Sequence, residues 1–153
     1  MTETTLSEAP STENRLLAAL AHGSVIVQGI GIIVGVLVYI NQREKSRFAA
    51  FQALQAAVFQ LFALILIIGL WVAWTFCYML SLIPLISMMD ANPNAPPPPM
   101  FYVGLGSMAI PFAVMLIMWL YGLWAALRVW GGHDFRYALI GRWLERSGLW
   151  NNQ

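Results

Sequence analysis

The sequence predicts an all-α membrane bundle, with three transmembrane helices and a C-terminal amphipathic helix lying at the lipid interface. Three observations lead there. Long apolar stretches run without a charged residue from Leu16 to Ile40, from Phe48 to Met89 and from Phe101 to Leu127. The composition is 59% hydrophobic and only 10% charged over 153 residues, against about 25% charged in an ordinary soluble domain. A small soluble domain has proportionally more surface to solvate, so this shortfall excludes one. The cations, finally, gather at the ends of the apolar stretches.

The second stretch organises the chain. Roughly 20 apolar residues in a helix match the hydrocarbon core of a bilayer, and here more than that number run together. One membrane domain is expected over residues 15–153, with spans at about 16–40, 52–80 and 101–128 and an interfacial helix at about 135–148. Residues 1–14, with Glu3, Glu8, Glu13 and Pro10, bury too little apolar surface to offset their ordering entropy and read as a flexible acidic tail. Arg15 arrives before the first apolar run only after three acids, so the start does not read as a secretory signal.

In the first span His22, Ser24 and Gln28 interrupt the apolar residues. At about 100° per residue, Ser24, Gln28, Gly31 and Gly35 share one flat, weakly polar face suited to helix–helix contact. That contact could be made within one protomer or between two. Asn41 to Arg47 is a dense charge cluster and reads as a loop. The second span reads as one long helix, carrying Gln52, Gln55 and Gln60 near its start, with Pro84 and Pro93 marking the passage into loop. A four-span alternative folds this run into a hairpin, which would put the basic first loop and the basic C-terminus on opposite sides. Asp90 to Pro99 reads as an extended polyproline connector or as a proline-peptide docking segment.

The third span contains Pro111, tolerated in membrane helices, and Tyr102, Trp119, Tyr121, Trp124 and Trp130 suggest interfacial belts. Gly131-Gly132 ends it. Beyond, Tyr137, Ile140, Trp143 and Leu144 share a face opposed to Arg142, Glu145 and Arg146, so Arg142, Trp143 and Arg146 are expected at the lipid interface. Seven of the eight Lys and Arg residues lie in the first loop or after the third span begins to exit. By the positive-inside rule the first loop and C-terminus are cytoplasmic, and the N-terminus and proline loop lie outside, in a bacterial inner membrane.

Three segments together carry a resemblance: Glu13-Asn-Arg-Leu-Leu-Ala-Ala-Leu-Ala-His22, Lys45-Ser-Arg-Phe-Ala-Ala-Phe-Gln-Ala-Leu-Gln-Ala56 and Gly132-His-Asp-Phe-Arg-Tyr137. The chain resembles, over most of residues 13 to 146, the small bacterial membrane proteins grouped with the twenty-kilodalton component of the chloroplast inner-envelope translocon. That Tic-like superfamily also includes proteins of magnetosome membranes. It often has His where Gln52 stands and Pro where Ala138 stands. The resemblance implies four spans and protein import for the chloroplast relatives, neither of which transfers on fold alone.

Chemistry-bearing residues are few. His22 is a candidate because it lies in a membrane segment; the plainer reading is a hydrogen bond that fixes helix packing. Arg47, Phe48, Gln52 and Gln55 are expected to dock the segment around Arg136 and Tyr137 onto the bundle through side-chain amide bonds. Cys77, the lone cysteine, reads as a small apolar residue. No Asp, Glu, Lys or Arg lies within the core of any span, and no nucleophile–base set, phosphate loop or metal-ligand spacing occurs. No cofactor, metal or nucleic acid is expected as partner. The partners expected are the lipid bilayer and another membrane protein or a second copy. The function expected is that of a non-enzymatic structural or accessory subunit acting through helix contacts. The alternative is an oligomeric passage or carrier component for peptides or lipophilic molecules.

Overall fold

A computed structural model describes residues 10–138 and 140–146. The described residues form six α-helices and no strand: α1 (Thr12–Gly23), α2 (Ile30–Gln42), α3 (Arg47–Ala91), α4 (Pro99–Gly106), α5 (Ala109–Trp130) and α6 (Ile140–Arg146). They divide into two compact units, one of residues up to 62 together with those from 119 onward, the other of residues 63–118.

The first unit opens inside the expected tail. Ser11 Oγ accepts the Asn14 backbone N–H at 3.2 Å, capping α1, so helix begins at Thr12. Glu3 and Glu8 lie outside the described residues. The expected span over residues 16–40 is not one helix. It breaks into α1 and α2, of 12 and 13 residues, which pack against each other. Two residues cause the break. Ser24 Oγ donates to the Ala21 carbonyl at 2.8 Å, competing with the helical ladder. Gly29 adopts φ +83°, a left-handed conformation that glycine takes without steric cost. Neither helix alone reaches the length of a span.

The core of this unit is built from small residues: Ala18, Ala21, Ala49, Ala50, Ala53 and Ala56 are fully buried. A Cβ on Gly35 would stand 3.0 Å from Ala57 Cβ and 3.2 Å from the Ala53 carbonyl, so α2 and α3 meet backbone to backbone. Such close approach lets dispersion and weak polar contacts hold helices together where no hydrophobic drive acts.

α3 is continuous for 45 residues, about twice a span. It forms one helix, as expected, and not a hairpin; it runs through Pro84 instead of ending there. In the second unit Trp74 Nε1 donates to the Gly104 carbonyl at 3.2 Å, Trp71 meets Phe112 edge-on at 5.1 Å and Trp74 stacks on Tyr78. The proline segment carries a turn at residues 93–95, and Pro99 starts α4, a position where its missing N–H costs nothing.

Two helical stretches, Arg47–Ala91 and Pro99–Trp130, are long and apolar enough to cross a membrane, with mean hydropathy 2.5 and 2.0. Their outer faces are bare: Ile65, Val72 and Phe76 on α3, and Ile117, Leu120 and Leu127 on α5, are all more than half exposed. Water would not tolerate apolar faces of that extent on a monomer. The chain is a helical protein whose long helices fit a membrane.

α5 ends in a Schellman turn. Gly132 has φ +80°, His133 N–H reaches the Arg128 carbonyl at 3.1 Å and Gly132 N–H the Val129 carbonyl at 2.9 Å, the paired bonds of that motif. A Cβ on Gly132 would also strike the Arg15 guanidinium, 2.9 Å from Cζ. The expected interfacial helix starts later than its 135–148 reading. Residues 133–137 are not helical, because side chains of α3 take their backbone groups; α6 begins at Ile140. Residues 147–148 of that reading, and the Glu145 side chain, lie outside the described residues.

Candidate functional site: a buried polar network

The turn after α5 throws the chain back onto α1 and α3, where three polar side chains lie with no exposure to solvent or only a trace. His22 and Gln52 are 0% exposed and Tyr137 is 2%. His22 Nδ1 lies 3.0 Å from the Tyr137 hydroxyl and Nε2 lies 3.1 Å from Gln52 Oε1. Gln52 Nε2 donates to Asp134 Oδ1 at 2.7 Å and to the Phe135 carbonyl at 3.0 Å. Gln55, equally buried, clips the same non-helical segment from both sides. Its Nε2 donates to the Phe135 carbonyl at 3.1 Å and its Oε1 accepts the Tyr137 N–H at 3.2 Å.

These partners leave one assignment of hydrogens. Asp134 Oδ1 and the Phe135 carbonyl only accept, so the Gln52 amide nitrogen faces them and its oxygen faces His22. His22 Nε2 must then carry the proton, Nδ1 must accept, and the Tyr137 hydroxyl must donate. The chain of donors runs Tyr137 to His22 to Gln52 to Asp134. It ends at the surface, where Arg136 Nη2 and Nε each hold Asp134 Oδ2 at 3.0 Å.

Rings close the site. Phe59 stacks on Tyr137 at 4.2 Å with an interplanar angle of 7°, and Tyr121 and Phe135 meet Tyr137 edge-on at 5.3 and 5.1 Å. Burial among them pushes the Tyr137 hydroxyl well above its usual range, with Tyr121 adding to the effect. His22 sits in α1, outside both long apolar stretches. Burial lowers its pKa to about 4, although the Gln52 bond works the other way. Both groups are therefore neutral at pH 7, as the donor chain requires.

The other residues singled out in the sequence fall as follows. Gly31 and Gly35 are buried, and a Cβ on Gly31 would overlap Gln60 Oε1 and the Ser24 carbonyl. Ser24 bonds within its own turn, and Gln28 is exposed in the same break, so the shared helical face does not form. Arg136 lies over the Phe51 ring at 5.9 Å; Phe48, half-buried, is not its ring. Arg47 is exposed, as are Arg142, Trp143 and Arg146. His22 and Tyr137, expected near opposite membrane faces, are hydrogen-bonded to each other.

Sequence reasoning missed Gln60, whose Nε2 donates to the Ala21 carbonyl at 2.7 Å, a carbonyl at the α1 end. It also missed Asp134, Phe135, Phe59 and Tyr121 as members of the site. Gln52, Gln55, Phe59 and Gln60 fall on one broad side of α3, and this could have been read from their spacing.

Both His22 nitrogens are committed, so a ligand on that ring would have to break an internal bond. Among the described residues no group of three or more His, Cys, Asp or Glu could hold a metal ion. Comparison with known families matches residues 13–144, which include every residue of this network, to the magnetosome magnetite crystal formation protein family.

The chain belongs to that family. No curated protein matches the chain, and no solved structure does. The magnetosome family match, together with the long apolar helices, fits a membrane location. It also includes the three sequence segments that meet in the network, at residues 13–22, 45–56 and 132–137.

Proposed function

We propose that this protein is a non-enzymatic, membrane-embedded accessory subunit of the apparatus that forms magnetite crystals in magnetosomes. The observation that carries the reading is the use to which its buried polar groups are put. His22, Gln52, Gln55 and Tyr137 bond to one another and to the backbone of residues 134–137, so they fasten the segment after α5 to α1 and α3. A catalytic site would keep one such group turned toward a substrate. The exposed apolar faces of α2, α3 and α5 are left for lipid and for another membrane protein.

The sidedness proposed differs from the sequence reading at one end. All eight Lys and Arg residues lie outside residues 63–118, whose one charged residue is Asp90. With α3 and the α4–α5 stretch crossing, the loop at Arg43 to Arg47 and the segment from Arg128 onward face the cytoplasm, and the proline segment faces away from it. Arg15 lies against Gly132 and His22 against Tyr137, which supports placing the N-terminal segment on the cytoplasmic side too.

Cross-linking in native magnetosome membranes, followed by purification through a tag, tests the reading. A stable complex with a second membrane protein is expected. A homo-oligomer that conducts peptides or lipophilic molecules after reconstitution would overturn it.

A further inference from the structure

The first unit carries a groove of about 560 Å³ along α1, lined by Leu16, Leu20, Gly23, Val34, Leu127 and Trp130 among others. Its size falls in the range of small-molecule sites, about 300–1,000 Å³. We propose that it seats one acyl chain of an anionic phospholipid, with the phosphate held at Arg15. The inference rests on the membrane location and not on the accessory role.

Three features favour this occupant. The lining is almost wholly apolar: its one polar side chain, Ser24, already donates to the Ala21 carbonyl, so a hydrogen-bonding ligand would find little to bond along its walls. Gly23 leaves room where a side chain would fill the groove: a Cβ there would meet only Ala126 Cβ, at 3.9 Å. One end carries the right charge. Arg15 stands one turn before Ala19 of the groove wall, and its guanidinium packs beside Gly132, two residues beyond Trp130. Its Nε–H donates to the Pro10 carbonyl at 2.8 Å, which fixes the fork; among the described residues the terminal nitrogens make no further bond and can meet a phosphate, a geometry that suits arginine. Trp130 beside it is the ring type favoured at the headgroup level.

The full-length protein, extracted in mild detergent and stripped of loose lipid, is offered phosphatidylglycerol or phosphatidylcholine with matched acyl chains, and adducts are counted by native mass spectrometry. One retained phosphatidylglycerol is expected, favoured about fivefold over phosphatidylcholine, the preference that one cation at a membrane surface confers. Arg15→Gln should bring the two lipids level. Gly23→Leu and Leu127→Trp should each abolish the adduct while far-ultraviolet circular dichroism stays unchanged; Leu127→Trp decides if Gly23→Leu fails to fold. Adducts of equal number in the wild type and a folded groove-filling variant would overturn the proposal. So would a wild type without lipid, or a polypeptide retained in its place. The wild type's sedimentation with membranes reports separately on the location from which the inference starts.

Discussion

Tyr137 holds its place by two independent means, a ring stacked on Phe59 and a hydroxyl that donates to His22. Tyr137→Phe keeps the first and removes the second, leaving His22 Nδ1 buried without a donor. An unsatisfied buried acceptor costs about 1–3 kcal/mol. Denaturant unfolding in detergent micelles should show a loss of that size, and a cycle with His22→Phe should show strong coupling between the two positions. A loss below the error of the measurement would mean that the bond is not made in solution. The pH dependence has a definite sign. The folded His22 titrates near 4 and the unfolded one near 6.5, so between those values the unfolded chain binds the extra proton. Stability contributed by neutral His22 is whole above about pH 6.5 and is lost as pH falls toward 4. The difference between wild type and His22→Phe isolates that slope from the carboxylates, and a flat difference would count against the buried neutral ring.

At the scale of elements, the segment from His133 to α6 is held by amide side chains and not by its own secondary structure. Replacing Gln52 and Gln55 together with Leu should release it, so that trypsin cuts faster at Arg136 and Arg142 while the rest of the chain stays protected. An unchanged digestion pattern would mean that the aromatic packing suffices alone. Gly35→Leu should act differently, prising α2 from α3, since a methyl already meets Ala57 and Ala53 at about 3 Å. Overpacking of this kind costs roughly 1–3 kcal/mol, read in the same unfolding assay. The long apolar run without a charged residue made α3 legible as one helix, with only Pro84 in its 45 residues arguing against it. The break at Ser24–Gly29 was not legible: a glycine that packs and a glycine that turns look alike in sequence, and only the φ of Gly29 separates them. Likewise Tyr137, Ile140, Trp143 and Leu144 keep helical spacing, yet Tyr137 lies in a non-helical segment, its backbone N–H and hydroxyl bonded to residues 82 and 115 positions away.

For the whole molecule, the meeting of His22 with Tyr137 decides which ends lie together. A reporter fused after Gln153 should be active in the cytoplasm, and a tag before Met1 should be shielded from protease in intact cells on the same side. A tag accessible from outside, with the C-terminal reporter still inside, would restore the uninterrupted first span that the sequence suggests. Length, charge sparsity and the clustering of cations made the membrane habitat legible, because bulk solvation decides those features. The polar site was half legible: residue type marked Gln52 and Gln55 and set them against the segment around Arg136 and Tyr137, whereas His22 reads in the sequence as lying near the opposite membrane face.

The one-way order of donors from Tyr137 through His22 and Gln52 to Asp134 has a consequence for descent. No member can be exchanged for a group of opposite polarity without stranding its neighbour, so drift at position 22, 52 or 137 should survive only beside a compensating change at another. Relatives in which those positions vary independently would show that the ancestral fold never depended on the chain.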